Sequence, residues 1–265
     1  MGLSREKSLT SYMKVDCILH IVRRWVLTSG FILAFLAPAA AQQSSSLAVD
    51  LPHAGHHGQH GRPTPEAWEG SAKGIAYSER NHHIAGLLVI LMGVAELTHA
   101  MRLAALGWVR LLLPSALLCA GTFLLIWSDH EAWPIGPLTF GQSFFGDDHE
   151  IIQHKFYGIL ALVVGSVELF RRLGRAGHRV WASPLPLMAI VGGLMLFGHS
   201  HGFHPSAQKI ATHHAIMGTM ALTAGSSKLF STWLNPTPAG AAVRWDWIWA
   251  SFILLIGTQL LIYSE

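Results

Sequence analysis

Charged side chains are scarce in this sequence: Asp, Glu, Lys and Arg together make up 12% of its 265 residues. A soluble domain carries about 25%, so there is too little charge here to cover a surface that faces water. The formal net charge is only +3, and the basic residues are scattered, which argues against a nucleic-acid binder. With 51% hydrophobic residues, the composition predicts a polytopic membrane protein.

Cysteine is also nearly absent, and so are common catalytic motifs. Cys17 lies in a predicted presequence and Cys119 in an apolar run, so we expect no disulfide in the mature protein. Neither a phosphate-binding loop nor a His-Glu-x-x-His motif occurs. We therefore predict a protein that is not an enzyme, with an electron-transfer role left open.

The first 41 residues have the pattern of a secretory signal peptide. Arg23 and Arg24 precede an apolar stretch, and Ala39 to Ala41 offer a small-residue cleavage site. The two arginines hold one end in the cytoplasm, so that residue 42 emerges on the other side. This pattern predicts a protein of the bacterial inner membrane.

Histidine is the residue that the chain has in excess, with 17 copies against 15 acidic residues. Residues 42–78 are polar and rich in Gly, Pro and Ser, so we expect a flexible periplasmic segment. It contains His53, His56, His57 and His60. Such short tracts can bind Cu²⁺, Zn²⁺ or Ni²⁺, although a simple solvated linker is the alternative.

Six apolar segments follow and define a predicted transmembrane domain over residues 79–265. They lie near 83–101, 108–127, 152–170, 181–199, 213–234 and 246–263, each close to the roughly 20 residues that cross a bilayer. Arginine is concentrated between residues 171 and 179. The positive-inside rule then places the connections 102–110, 171–180 and 235–245 in the cytoplasm and both mature termini in the periplasm.

The six segments share two repeated patterns. The odd-numbered ones carry a His, two glycines, a charged residue and a Leu at fixed spacing, beginning at His82, His154 and His214. The even-numbered ones carry a Gly seven residues before a Ser, at Gly121, Gly193 and Gly257. We therefore predict an all-α fold of six transmembrane helices, arranged as three repeated helical hairpins with close packing at the glycines.

Most histidines fall on the periplasmic side of this topology, where imidazoles near carboxylates can form a metal site. The candidate ligands at the ends of the spans are His82, His83, His130, His154, His199, His201, His204, His213 and His214. The alternative for each one is an ordinary polar anchor at the membrane surface. Imidazole suits Cu²⁺, Zn²⁺, Ni²⁺ and Fe, and the residues alone do not rank these metals.

Three further charged residues, Glu96, Glu168 and Lys228, occupy equivalent positions toward the other ends of the odd-numbered segments. Charges at this depth are unfavourable unless they are paired. If the hairpins surround a common axis, these side chains converge. The two interpretations are an ion-paired structural latch and an exit site or proton relay.

Three short motifs resemble the membrane portion of bacterial CopD-like copper-resistance or copper-uptake proteins. They are Ser128 to Pro137, Gln153 to Leu169 and Gly198 to Gly202. The resemblance covers about residues 79–265 and implies a multi-span inner-membrane protein that handles copper beside a periplasmic copper-binding partner. This chain differs in having no fused soluble copper domain and more histidines between residues 199 and 214.

These observations lead to one preferred function and two alternatives. We expect an inner-membrane protein that binds copper at its periplasmic face for uptake, transfer or tolerance, with the lipid bilayer as its surroundings and no nucleic-acid partner. The first alternative is a b-type cytochrome, in which His154 and His214 are the axial ligands of haem b. The second is an assembly or scaffold protein that binds no metal.

Overall fold

The computed structural model describes residues 70–101, 107–198, 206–233 and 239–265, with side chains in the last range from residue 244 onward. All secondary structure in these ranges is helical. Seven α-helices occur there, which we label in chain order. They are α1 Ala72–Ala100, α2 Leu112–Ile126, α3 Phe140–Phe145, α4 His149–Arg172, α5 Pro184–Phe197, α6 Ala207–Trp233 and α7 Ala239–Leu261.

Local sequence signals explain where several helices begin. Ser71 caps α1 by accepting a hydrogen bond from the amide of Gly74, and Asp148 caps α4 through the amides of Glu150 and Ile151. Helix α1 consequently begins at Ala72 rather than at the predicted boundary of residue 79, since no proline interrupts the chain after Ser71. The predicted signal peptide and the histidines of residues 53–60 lie outside the described ranges.

Three helical stretches are long and apolar enough to cross a membrane. They are Ala72–Ala100, Val109–Ile126 and Arg179–Phe197, where the last two include a short 3-10 turn. They correspond to the first, second and fourth predicted spans and assign the chain to a membrane. Helices α4, α6 and α7 cover the other three predicted spans, and their passage through a bilayer stays a prediction.

The helices approach most closely where glycines face one another. A Cβ atom on Gly121 would lie 2.8 Å from the carbonyl oxygen of Gly158, and one on Gly193 would lie 2.7 Å from that of Gly218. A Cβ atom on Gly86 would be 3.0 Å from the carbonyl oxygen of Gly257. Because these glycines have no side chains, the helix backbones come into direct contact in three pairs, α2 with α4, α5 with α6 and α1 with α7.

These three contacts join helices that belong to different predicted hairpins. The contacts join the second segment to the third, the fourth to the fifth and the sixth to the first. Each contact therefore pairs a glycine of an even-numbered segment with a glycine of an odd-numbered one. The apolar core around them includes Leu88 of α1, Leu117 of α2, Val164 of α4 and Trp249 of α7. The close glycine contacts therefore lie within the pairs α2–α4, α5–α6 and α1–α7.

Candidate functional site

A cavity of about 170 Å³ lies at one end of the bundle, where α1 and α4 begin and α2 ends. It is lined by three imidazoles, those of His82, His130 and His154. It is also lined by five carboxylates, those of Asp129, Glu131, Asp148, Glu150 and Glu265. The excess of carboxylates makes this cavity attractive to a cation.

Helix α1 positions the loop that begins the cavity wall. The hydroxyl of Tyr77 donates a hydrogen bond to the carbonyl oxygen of Trp127 at 2.6 Å. One turn later, the amide of Asn81 donates to the carbonyl oxygen of Ser128 at 2.9 Å. The residue that follows, Asp129, is thereby held against the first turns of α4.

The best-defined pair in the cavity is His154 of α4 with Asp129. The two side chains meet at 2.8 Å, between Nδ1 of His154 and Oδ1 of Asp129. Because an ionised carboxylate only accepts, Nδ1 of His154 donates this hydrogen bond, and Nε2 would coordinate a metal once it has lost its own proton. Metal-binding histidines are commonly oriented in this way by a carboxylate.

Three polar neighbours keep Asp129 ionised although only 9% of it is exposed. Burial alone would raise the pKa of this carboxyl group, but the charge and hydrogen bond of His154, the hydroxyl of Ser128 and the ammonium of Lys155 outweigh it. The pKa of Asp129 therefore lies below its ordinary value of 3.8. The carboxylate stays negative at neutral pH.

This lowered pKa predicts a pH-dependent contribution to stability. At pH 7 we expect the wild type to be more stable than Asp129→Asn, because a group with a lowered pKa stabilises the folded state above its unfolded pKa. The difference should shrink as the pH falls below about 4 and through the lower folded-state pKa. Thermal unfolding of both proteins in detergent between pH 7 and pH 3 measures it, and a difference that grows on acidification would contradict this assignment.

His82 is held in a second arrangement on the neighbouring wall. Its Nδ1 donates a hydrogen bond to the carbonyl oxygen of Ser78 at 2.8 Å. Its ring stacks on that of Tyr263 with centroids 3.9 Å apart. The ring of His214 lies beyond, with a centroid separation of 6.4 Å from His82. The structure thus brings His82 and His214 together, whereas the alternative cytochrome function paired His154 with His214.

The remaining predicted ligands have separate contacts. Burial lowers the pKa of His130 against the influence of Glu131 and Asp129, which favours a neutral imidazole at neutral pH. His83 donates to the carbonyl oxygen of Tyr263 at 3.0 Å, and His213 contacts the amide of Gln259. The other three predicted ligands of this rim, His199, His201 and His204, lie outside the described residues.

Within the ranges that the structure describes, no group of three or more His, Cys, Asp or Glu side chains is arranged to hold a metal ion. The predicted ligands are instead brought together in pairs, His154 with Asp129 and His82 with His214. Of these four side chains, His82, Asp129 and His154 line the cavity, and His214 is not part of its lining.

One cavity-side residue was missed by the sequence analysis. Lys155 is completely buried, and its Nζ donates to the carbonyl oxygen of Leu125 at 2.8 Å and lies 3.8 Å from Oδ2 of Asp129. The signal was present in the sequence, since a lysine beside His154 interrupts an apolar run. Its side chain connects the C-terminal end of α2 to the start of α4.

At the other end of α1, the three charged positions predicted to converge do so. Glu96 is 3.0 Å from the ammonium of Lys228, and Arg172 bridges Glu96 to Glu168. Trp249 donates to Glu96 at 2.8 Å. Each of these groups has an opposite charge or a hydrogen-bond partner, so the arrangement fits the ion-paired latch rather than an exit site.

Comparison of the chain with known protein families, characterised proteins and solved structures gives no significant match.

Proposed function

We propose that this chain is a protein of the bacterial inner membrane with six transmembrane helices, which binds copper at its periplasmic face for uptake, transfer or tolerance. The observation that carries the proposal is the 2.8 Å contact between His154 and Asp129 in a cavity shared with His82. A carboxylate that orients an imidazole makes the ring a better metal ligand. The surrounding acids favour the approach of a cation.

The membrane arrangement has two lines of support. First, three helices are apolar enough to span a bilayer. Second, the glycines of α4, α6 and α7 are in close contact with the glycines of these three helices. Six spans built from a threefold repeat account for both. The predicted signal peptide and the arginines between residues 171 and 179 support a periplasmic position of the cavity.

The size and donors of the cavity favour a small ion. A volume of about 170 Å³ lies below the roughly 300–1,000 Å³ of pockets for organic ligands. Its lining offers imidazole nitrogens and carboxylate oxygens, which are donors that small divalent ions take. Imidazole suits copper, and the resemblance to CopD-like proteins favours copper over zinc.

The histidine-rich tail would deliver ions to this cavity. His53, His56, His57 and His60 would collect copper at the periplasmic surface or receive it from a periplasmic copper-binding protein. His199, His201 and His204 are the further predicted ligands of this scheme. In this scheme His154 and His82 are the first residues to hold the ion within the bundle.

Copper binding by purified variants tests the proposal. We expect His154→Ala to remove one Cu²⁺ site from the full-length protein in detergent, and Asp129→Asn to weaken that site by about 10–100-fold. His99→Ala is the matched control, because His99 is an exposed histidine at the opposite end of α1. Unchanged stoichiometry and affinity in His154→Ala would refute the function proposed for this cavity.

The haem alternative has one favourable observation, the neighbouring rings of His82 and His214 on two helices. Bis-histidine ligation would use these two residues rather than His154. The small cavity argues against a macrocycle beside His82. An absorbance spectrum and a metal analysis of protein purified from membranes separate the three functions. A Soret band supports haem binding, and bound copper without haem supports the proposal. Protein that contains neither haem nor copper supports the scaffold alternative.

A further inference from the structure

We infer that Lys155 is a specificity-determining residue of the proposed copper site, whose buried positive charge keeps the binding of divalent cations weak enough for release. This inference rests on the proposed function. It assigns to Lys155 a role in setting affinity, separate from that of the ligands. The contacts that carry it are those from Lys155 to Asp129 and from Asp129 to His154.

The structure places the Lys155 ammonium behind the carboxylate that orients His154. Oδ1 of Asp129 contacts His154 at 2.8 Å, and Oδ2 of the same carboxylate is 3.8 Å from Nζ of Lys155. Lys155 has no exposed surface. A charge that is shielded from water acts over a longer distance than one at the surface, because the local dielectric is lower and salt screens it less.

This positive charge opposes a bound metal in two ways. It repels a cation at His154 directly, and it offsets part of the negative charge that Asp129 would otherwise present to that cation. Both effects increase with the charge of the ion, since Coulomb energy is proportional to the product of the charges. A divalent ion is therefore disfavoured more than a monovalent ion.

Lys155 also has a structural contact, and the test must separate it from the charge. Its Nζ donates to the carbonyl oxygen of Leu125, which stabilises the end of α2. Lys155→Gln removes the charge and keeps a donor for this carbonyl oxygen. Lys155→Arg keeps the charge and a donor and is the matched control, while Lys155→Met provides a second uncharged variant if the glutamine variant does not fold.

The experiment is a titration of the full-length variants in detergent with Cu²⁺ alone and, separately, with Ag⁺ alone as a monovalent soft ion. The site is identified as the binding that is lost in His154→Ala. We expect Lys155→Gln to bind Cu²⁺ at least about tenfold more tightly than the wild type. The gain for Ag⁺ should be smaller, and Lys155→Arg should stay within about twofold of the wild type.

Two results would overturn the inference while leaving the proposed function intact. The first is a Cu²⁺ affinity of the His154-dependent site in folded Lys155→Gln or Lys155→Met that equals or falls below the affinity of the wild type. The second is tighter binding that persists when either substitution is combined with His154→Ala, which would place the effect elsewhere. Absence of any His154-dependent Cu²⁺ site in the wild type would instead overturn the proposed function and the inference together.

Discussion

Replacing Arg172 by Met should destabilise the folded protein by about 3–5 kcal/mol, the usual effect of removing one partner from a buried ion pair. Arg172 is the bridge between Glu96 and Glu168, and its side chain is only 8% exposed. Without it, the two carboxylates lose their shared cation in a region that water hardly reaches. Thermal unfolding in detergent measures the change as a lower midpoint.

Two further variants show whether the effect comes from the charge. Arg175→Met removes an exposed arginine three residues away and should change stability by no more than about 0.5 kcal/mol. Adding Glu96→Gln to Arg172→Met should recover part of the loss, because one of the two carboxylates that lose this cation is then neutral. Equal midpoints for Arg172→Met, Arg175→Met and the wild type would show that the bridge contributes nothing.

The second large effect is expected at the contact between α2 and α4. In Gly121→Ala, the new Cβ atom would lie 2.8 Å from the carbonyl oxygen of Gly158 and 2.9 Å from the amide nitrogen of Leu162. Both are backbone atoms, so the helices must separate. We expect a loss of about 1–3 kcal/mol in stability, together with weaker Cu²⁺ binding, since the same helix pair positions Asp129 against His154.

Gly141→Ala is the control for this substitution, because no atom lies within 4 Å of the Cβ that it would add. It should leave both the unfolding midpoint and the Cu²⁺ affinity at wild-type values. Gly193→Ala tests whether the other pairs behave alike, since its Cβ would be 2.7 Å from the carbonyl oxygen of Gly218. Wild-type stability in Gly121→Ala would mean that the two backbones can separate without loss.

The helical fold could be predicted from the sequence to a large extent, but the helix partners could not. Apolar runs of nearly constant length predict helices, and the spacing of Gly86, Gly158 and Gly218 predicts close packing. A repeat defines equivalent positions without saying which copies touch. The contact of Gly121 with Gly158 therefore joins two predicted hairpins, a choice that depends on the packing of the whole bundle.

The sequence predicted which end of the helices carries the candidate site, but it did not predict which side chains contact each other there. Helix starts and ends placed His82, His130 and His154 near one membrane surface. The partner of each depends on the rotation of its helix, which the spacing of residues does not determine. Asp129 is therefore not among the predicted ligands, although it is the residue that orients His154.

The buried cations show a similar limit. Convergence of Glu96, Glu168 and Lys228 followed from their equivalent positions, and it is confirmed by the ion pairs at Glu96. The bridging role of Arg172 did not follow, because arginines that follow an apolar run are usually attributed to the positive-inside rule. The role of Lys155 did not follow either, because the sequence does not show that its side chain turns into the protein.

The glycine contacts define three pairs of helices whose backbones touch, and the histidines are distributed differently over these pairs. Asp129 follows α2 and His154 belongs to α4, so their 2.8 Å contact lies within one pair. His82 belongs to α1 and His214 to α6, so the 6.4 Å between their ring centroids spans two pairs. The geometry at His154 therefore depends on one helix–helix contact and on the hydrogen bonds from α1, whereas the spacing of His82 and His214 depends on how separate pairs pack together.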